Sequence, residues 1–243
     1  MSRYNLLLSL FFASCFILAN GSRLATAEAG PAFQDTSTST MCSGGKNGTP
    51  LMDEMVRHVK DMGDYKFDGT VNSVKGEKVV RATGIFYYKP ANEIRVEVKD
   101  YGSKSGSILV KTKDGKVIGK GGKSMLGMKM TLSPDSRLAM MPNGVSAVQC
   151  DLMSLLDRIK REVGSSGKLV TSGEPVKVES LPNPVIILEG QLPGESMATR
   201  IFIDPSQKLP IQWDLFDGGK FSSRCMFKSY EAKENWDDSQ FQL

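Results

Sequence analysis

Histidine is nearly absent: His58 is the only one in 243 residues. Its scarcity removes every multi-histidine metal site, and every Ser-His-Asp or Cys-His triad that does not use His58. Cysteine is scarce too. The four residues Cys15, Cys42, Cys150 and Cys225 include no C-x-x-C pair, so neither a thioredoxin-type redox site nor a zinc knuckle is indicated. No segment has the spacing of a phosphate loop or a dinucleotide fingerprint; Gly119-Lys120-Gly121-Gly122-Lys123 is glycine-rich without it. No apolar run reaches the roughly 20 residues a membrane-spanning helix needs. Paired carboxylates are the surviving catalytic route. The two candidates, Asp204 before Pro205 and Asp217 before Gly218, sit in turn chemistry where aspartate serves structure. The expectation is a protein that is not an enzyme and holds no metal or cofactor.

What is present is an ordinary folded chain, 40% hydrophobic and 24% charged, too apolar to stay disordered. Arg3 followed by the apolar stretch from Leu6 to Leu18 and the small-x-small site Ala25-Thr26-Ala27 reads as a signal peptide over residues 1–27. The protein is therefore expected to be exported, to the periplasm or cell envelope. Losing Arg3 and Arg23 with no acid lowers the formal charge from +4 to +2, which gives no argument for nucleic acid binding. Cleavage leaves three cysteines. Cys150 and Cys225 are open to two readings, a disulfide or buried free thiols. Cys42 is expected to be free or to pair between chains. Residues 28–49 are rich in Ser, Thr and Gly and read as a flexible tether.

The folded part, residues 50–243, starts with a helix. Thr49 suits a cap and Pro50 the first helical position, and Met52, Met55, Val56, Val59 and Met62 recur at helical spacing until Gly63. His58 lies among that helix's charged residues and reads as a surface side chain. From Tyr65 to about Thr131 the period becomes two, most cleanly in Ile94-Arg95-Val96-Glu97-Val98. About five antiparallel strands are expected there, with Asp114-Gly115 as a type I′ hairpin turn. Ser133 to Met141 reads as a short helix or turn. Leu152, Leu155, Leu156, Ile159 and Val163 trace one helical face, with Ser146-x-x-Gln149 as a capping box and Gly164 as the stop. Strands resume at Leu169, including Val176–Val178, Val185–Glu189, Ala198–Ile203, Ile211–Phe216, Phe221–Tyr230 and Phe241–Leu243. The architecture is α+β: one large curved antiparallel sheet of about ten or eleven strands, with helices packed on or capping its concave face.

Several ordered motifs carry a resemblance. Gly84-Ile85-Phe86-Tyr87-Tyr88-Lys89-Pro90 precedes Asn92-Glu93-Ile94-Arg95-Val96, and Ile108-Leu109-Val110 precedes Asp114-Gly115-Lys116. Later come Ile201-Phe202-Ile203-Asp204-Pro205 with Leu209-Pro210, and finally Tyr230 followed by Phe241. Together they resemble the LolA/LolB-like lipoprotein-localisation superfamily. Leu132-Ser133-Pro134-Asp135-Ser136-Arg137-Leu138-Ala139 with Leu155-Leu156-Asp157-Arg158-Ile159 is similar to an uncharacterised bacterial branch of it. The resemblance implies an unclosed half-barrel whose helices form a lid over an apolar concave face. It implies a carrier or binder of lipid or lipoprotein acyl chains, or in other members a sensor. In the family's carrier an arginine before the strand proline holds the lid. Lys89 stands there, and lysine cannot reproduce a planar multi-donor clamp.

An acyl-chain site needs apolar concave walls. The alternating residues Phe86, Tyr88, Ile94, Val96, Val98, Ile211, Trp213 and Leu215 are the wall candidates, with plain sheet core as the other reading. Lys89, Met140, Met141, Leu152 and Leu155 are the lid candidates. Met125, Met128, Met130, Met140 and Met141 cluster near the helical patch, where methionine suits either a lid or gap-filling in a core. Between Lys104 and Lys129 lie seven lysines and one acid, Asp114. They read either as a basic rim for anionic headgroups or an acidic partner, or as a guarded sheet edge. Two functions follow: a binder or carrier of acyl chains with transient membrane contact, or an envelope protein-interaction or sensor module on the same fold. A concave face plugged by Leu152, Leu155 and Leu156 favours a packed core over a carrier.

Overall fold

Hydrogen bonding runs unbroken through twelve strands in a computed structural model that describes residue 42 and residues 45–243, apart from 91, 123–125, 195 and 234. The strands are β1 (Lys46–Asn47), β2 (Asp64–Lys75), β3 (Lys78–Lys89), β4 (Glu93–Asp100), β5 (Ile108–Lys111), β6 (Val117–Lys120) and β7 (Lys129–Leu132), then β8 (Lys168–Thr171), β9 (Ile186–Gln191), β10 (Met197–Ile203), β11 (Pro210–Asp217) and β12 (Lys220–Lys233). Their order is β1-β8-β9-β10-β11-β12-β2-β3-β4-β5-β6-β7. Two antiparallel meanders, β2–β7 and β8–β12, are thus joined by the pairing of β12 with β2. β1 and β7 end the sheet, so the barrel is not closed. Two α-helices accompany it, α1 (Thr49–Asp61) and α2 (Leu152–Val163). This is the unclosed half-barrel α+β fold expected, with twelve strands rather than ten or eleven.

Local chemistry explains the elements. In β4 the branched residues Ile94, Val96 and Val98 are buried on one face while Arg95 and Glu97 take the other. Asp217 pairs directly with Lys220, and Gly218 (φ 55°) and Gly219 (φ 77°) supply the two positive dihedrals of a type I′ turn. Asp114-Gly115 differs from expectation: of the two, only Gly115 has a positive φ (81°), and its N–H donates to the Thr112 carbonyl at 2.8 Å. The Thr112 hydroxyl holds the Asp114 carboxylate, which produces a type I turn closed by a glycine bulge. α1 is preceded by Gly48 as its cap rather than by Thr49, whose N–H donates to the Asn47 Oδ1 instead. α2 is capped by Asp151, whose Oδ1 accepts from the Ser154 N–H at 2.9 Å. The expected capping box falls one element early: Ser146 leads a 3₁₀ turn, Ala147–Gln149, and makes no side-chain cap.

Other boundaries shift where side chains carry little signal. Val176–Val178 is not a strand; Val176 makes one bridge to Val185. Phe241–Leu243 is not a strand either, since Asp238–Phe241 is a 3₁₀ turn begun by Asp237, which accepts from the Ser239 N–H. Ser133–Met141 is a series of turns. The end of the expected tether belongs to the fold. Cys42 is buried, its N–H donates to Glu189, and Lys46 and Asn47 pair with Thr171 and Val170. Gly48 lies so close to Leu188 that an added Cβ would sit 2.4 Å from its methyl carbon. Residues 1–41, with the expected signal peptide and most of the tether, lie outside the described residues, as do Lys123 and Met125.

Three apolar clusters hold the sheet. The main one joins α1, α2 and the 139–150 segment to the inner face. On the outer face, Cys42, Val178, Val185, Ile187 and Phe202 form a second. The C-terminal tail forms the third, laying Trp236 and Phe241 against Val110, with Tyr87, Ile108 and Leu243 around them.

Candidate functional site

The inner face is built by alternation. Phe86 of β3, Ile94, Val96 and Val98 of β4, and Trp213 and Leu215 of β11 are all buried in the main core. Tyr88 is partly buried against it, its ring 4.9 Å from that of Tyr65. Ile211 is the exception among the wall candidates. Ile203 pairs with Pro210 and Phe202 with Gln212, so Ile211 is an extra residue in a bulge and packs on the outer face with the Phe202 cluster. The simple alternation expected for 211–215 breaks there.

The lid candidates divide in the same way. Leu152 and Leu155 project from α2 into the inner face together with Leu156, Ile159 and Val163, and Met141 is buried beside them. Met140 is partly exposed and bridges to Ser146. Lys89 is not near the helices. It lies on the outer face, where its Nζ donates to the Trp236 carbonyl at 3.0 Å and to the Asp238 carboxylate. The reason is alternation again: Tyr88 points inward, so Lys89 points outward, toward the tail.

The trough between helices and sheet is full. The void left among Met55, Leu152, Leu155, Leu156, Ile159, Ile201, Pro210, Trp213 and Phe227 is about 10 Å³, the space of a single water, whereas sites for small molecules hold about 300 Å³ or more. Two polar groups at its margin, the Tyr65 hydroxyl and the Trp213 indole, are paired internally. The Tyr65 hydroxyl accepts from the Leu152 N–H at 2.9 Å, and burial, with Asp151 nearby, drives the phenol pKa well above its ordinary value. Trp213 Nε1 donates to the Thr199 hydroxyl. Outside this core an open groove of about 930 Å³ runs between the 135–149 segment and α2, with Lys111, Arg158, Lys160 and Arg161 facing Asp135, Asp157 and Glu162.

Three features went unread in the sequence. Lys104 donates to the carbonyls of Arg137 (2.7 Å) and Met140 (3.0 Å), and so ties the 133–149 segment to the end of β4; burial pushes its pKa down. On the outer face, Glu189, Arg200, Asp214 and Arg224 stand in direct register across β9 to β12 with alternating sign. Arg200 and Glu189 are 1% and 0% exposed and 2.8 Å apart. Arg224 grips Asp214 with two bonds of 2.7 and 2.8 Å, and Phe216 and Phe221 lie over the Arg200 and Arg224 guanidiniums. A lone arginine inside the otherwise uncharged run 198–203 is the one signal that points to this row. The third feature is the tail, which Arg95 also holds by donating to the Gln240 carbonyl at 2.9 Å.

Chemistry-bearing groups are quiet. Cys42, Cys150 and Cys225 are free buried thiols, so Cys150 and Cys225 do not pair with each other. Burial pushes Cys42 and Cys225 up to about 12, the Glu189 carboxylate adding to the effect at Cys42, and burial likewise raises Cys150. The Asp204 carboxylate accepts from the Ser206 and Gln207 N–H groups and from the Ser206 hydroxyl, which lowers its pKa; it leads into the 205–207 turn, and Asp217, the last residue of β11, leads into the Gly218-Gly219 turn. Among the described residues no three His, Cys, Asp or Glu side chains gather as metal ligands, and no helix is long and apolar enough to cross a membrane. His58 is half-buried on α1.

No family model and no curated protein matches the chain. Solved structures similar to it include an uncharacterised conserved protein from Thermus thermophilus, at 15% identity over 79% of this chain and 92% of that one, TM-score 0.49. A DUF1329 family protein from Desulfovibrio piger is 9% identical over 81% and 98%, TM-score 0.43. A LolA superfamily protein from Nitrosomonas europaea is 8% identical over 82% and 98%, TM-score 0.40.

Proposed function

We propose that the protein is an exported, non-catalytic binding module of the cell envelope, and that its partner is a protein segment engaged outside the filled trough of an unclosed half-barrel. The observation that carries this is the filled trough: α2 and the sheet leave about 10 Å³, with no room for an acyl chain. Export rests on the pattern of residues 1–27, and the binding role on an open groove and a sheet edge left unpaired among the described residues.

A carrier of acyl chains is the second reading, favoured by the wholly apolar side chains of the α2 face. Withdrawing Leu152, Leu155, Leu156, Ile159 and Val163 from the trough costs about 8–15 kcal/mol, at about 1.5–3 kcal/mol per side chain. A chain of about 16 methylenes returns about 13 kcal/mol by the same measure. The two are of one size, so a tightly bound lipid would displace the helix. Native mass spectrometry of protein purified from its own host separates the readings. The protein-segment reading expects the mature mass without lipid, and no displacement of an apolar fluorescent probe by fatty acids. A stoichiometric acyl adduct overturns it in favour of the carrier.

A further inference from the structure

We infer that the free edge of β7 is a docking strand for an acidic, extended segment of a partner protein, which adds to the sheet beyond its twelfth strand. The inference names the surface and partner chemistry of the protein-binding role proposed above and rests on that reading. β7 ends the sheet, so alternate N–H and C=O groups of Lys129–Leu132 face away from β6 with no ladder partner among the described residues. The opposite end, β1, is two residues long and offers almost no edge.

Charge selects the partner. Lys129 stands directly opposite Lys120 in the β6–β7 register, and both are exposed. Like charges in direct register repel, and no carboxylate lies within ion-pair distance of either among the described residues. A glutamate or aspartate on an incoming strand beside Lys129 relieves that repulsion. The same lysine disfavours antiparallel pairing of two copies, which would set Lys129 against a second basic edge. On the other face of β7, Met130 and Leu132 are only half-buried, so the alternate side chains of the incoming segment find apolar contact there. Exposed Met128, 62% accessible, extends that surface toward the hairpin.

The chain's own acidic stretch does not serve. Glu231 is paired with Lys66, and Asp238 with Lys89, so that segment is already held on the outer face. An anionic membrane would neutralise the lysines, but it has no amides to complete a ladder.

The test uses the whole mature protein and a short synthetic peptide alternating glutamate and valine, with a lysine–valine peptide and anionic phospholipid vesicles as the other arms. Amide exchange by NMR is the readout. The inference expects the acidic peptide to slow exchange at 129–132 about tenfold or more and to bind less well as salt rises. Lys129→Glu is expected to weaken that peptide about tenfold and to admit the lysine–valine one. Lys120→Glu, also at an exposed position, is expected to act in the same direction. Protection elsewhere, an unchanged affinity in Lys129→Glu, or vesicles that bind in place of the acidic peptide each overturn the inference. None of these touches the broader reading, which falls only if the protein carries a stoichiometric acyl chain.

Discussion

Lys89 and Trp236 meet across 147 residues of chain: the lysine ammonium donates to the tryptophan carbonyl at 3.0 Å, and Asp238 sits on the same ammonium. The pair fixes the last residues over the outer face, with the Trp236 N–H donating in turn to Asp64. Lys89→Ala is therefore expected to loosen residues 236–243 and leave α2 where it is. Amide exchange should rise in the tail alone, with a red shift in tryptophan emission as Trp236 meets water. Equal loosening of α2 would return Lys89 to a lid role.

What was legible follows from where side-chain pattern and structure coincide. β4 was readable because one face is buried and the other charged, and α2 because five apolar residues share one stripe. The straps that tie the tail and the 133–149 segment were not readable. Lys89, Arg95 and Lys104 hold them through the carbonyls of Trp236, Gln240 and Met140, and a carbonyl is the same at every position. Ile211 was misplaced because a bulge breaks the period that assigned it. β1 was missed because two paired residues make no pattern. Phe86, Tyr88, Ile94, Val96, Val98, Trp213 and Leu215 face inward as their alternation implies, but that a helix packs over them is a matter of packing that periodicity cannot express.

Leu156→Ala tests that filling. Leu156 is 3% exposed and lines the small void. Truncating a core leucine costs about 2–5 kcal/mol, the cavity it leaves adding to the lost transfer energy. Denaturant unfolding should show a loss in that range with an unchanged slope. A cost below about 1 kcal/mol would mean that α2 rests loosely on the sheet, as a mobile lid does.

The buried row on the outer face makes a sharper demand. Arg200→Met leaves Glu189 at 0% exposure without the Arg200 guanidinium, while the Cys42 N–H still donates to it. Breaking one partner of a buried pair costs about 3–5 kcal/mol. Adding Glu189→Leu should recover much of that loss, because the second change removes the stranded charge. Full recovery is not expected, since the Cys42 N–H then loses its acceptor. Urea midpoints for both single variants and the double variant measure the coupling.

Alkaline pH should unfold the protein through Tyr65. Its side chain is fully buried and its pKa raised, burial first and Asp151 second. In the unfolded chain the phenol ionises near pH 10. Above that pH the native state keeps a proton that the unfolded state releases, so stability is intact below about pH 10 and falls as pH rises, by about 1.4 kcal/mol per unit for this one group. Absorbance of tyrosinate at 295 nm should therefore show exposed tyrosines titrating first and Tyr65 only together with loss of the circular dichroism signal. Tyr65→Phe keeps the ring, removes the proton and gives up the acceptor for the Leu152 N–H. It should start less stable at neutral pH but decline less steeply above pH 10. A slope equal to that of the unaltered protein would show that the alkaline transition begins elsewhere.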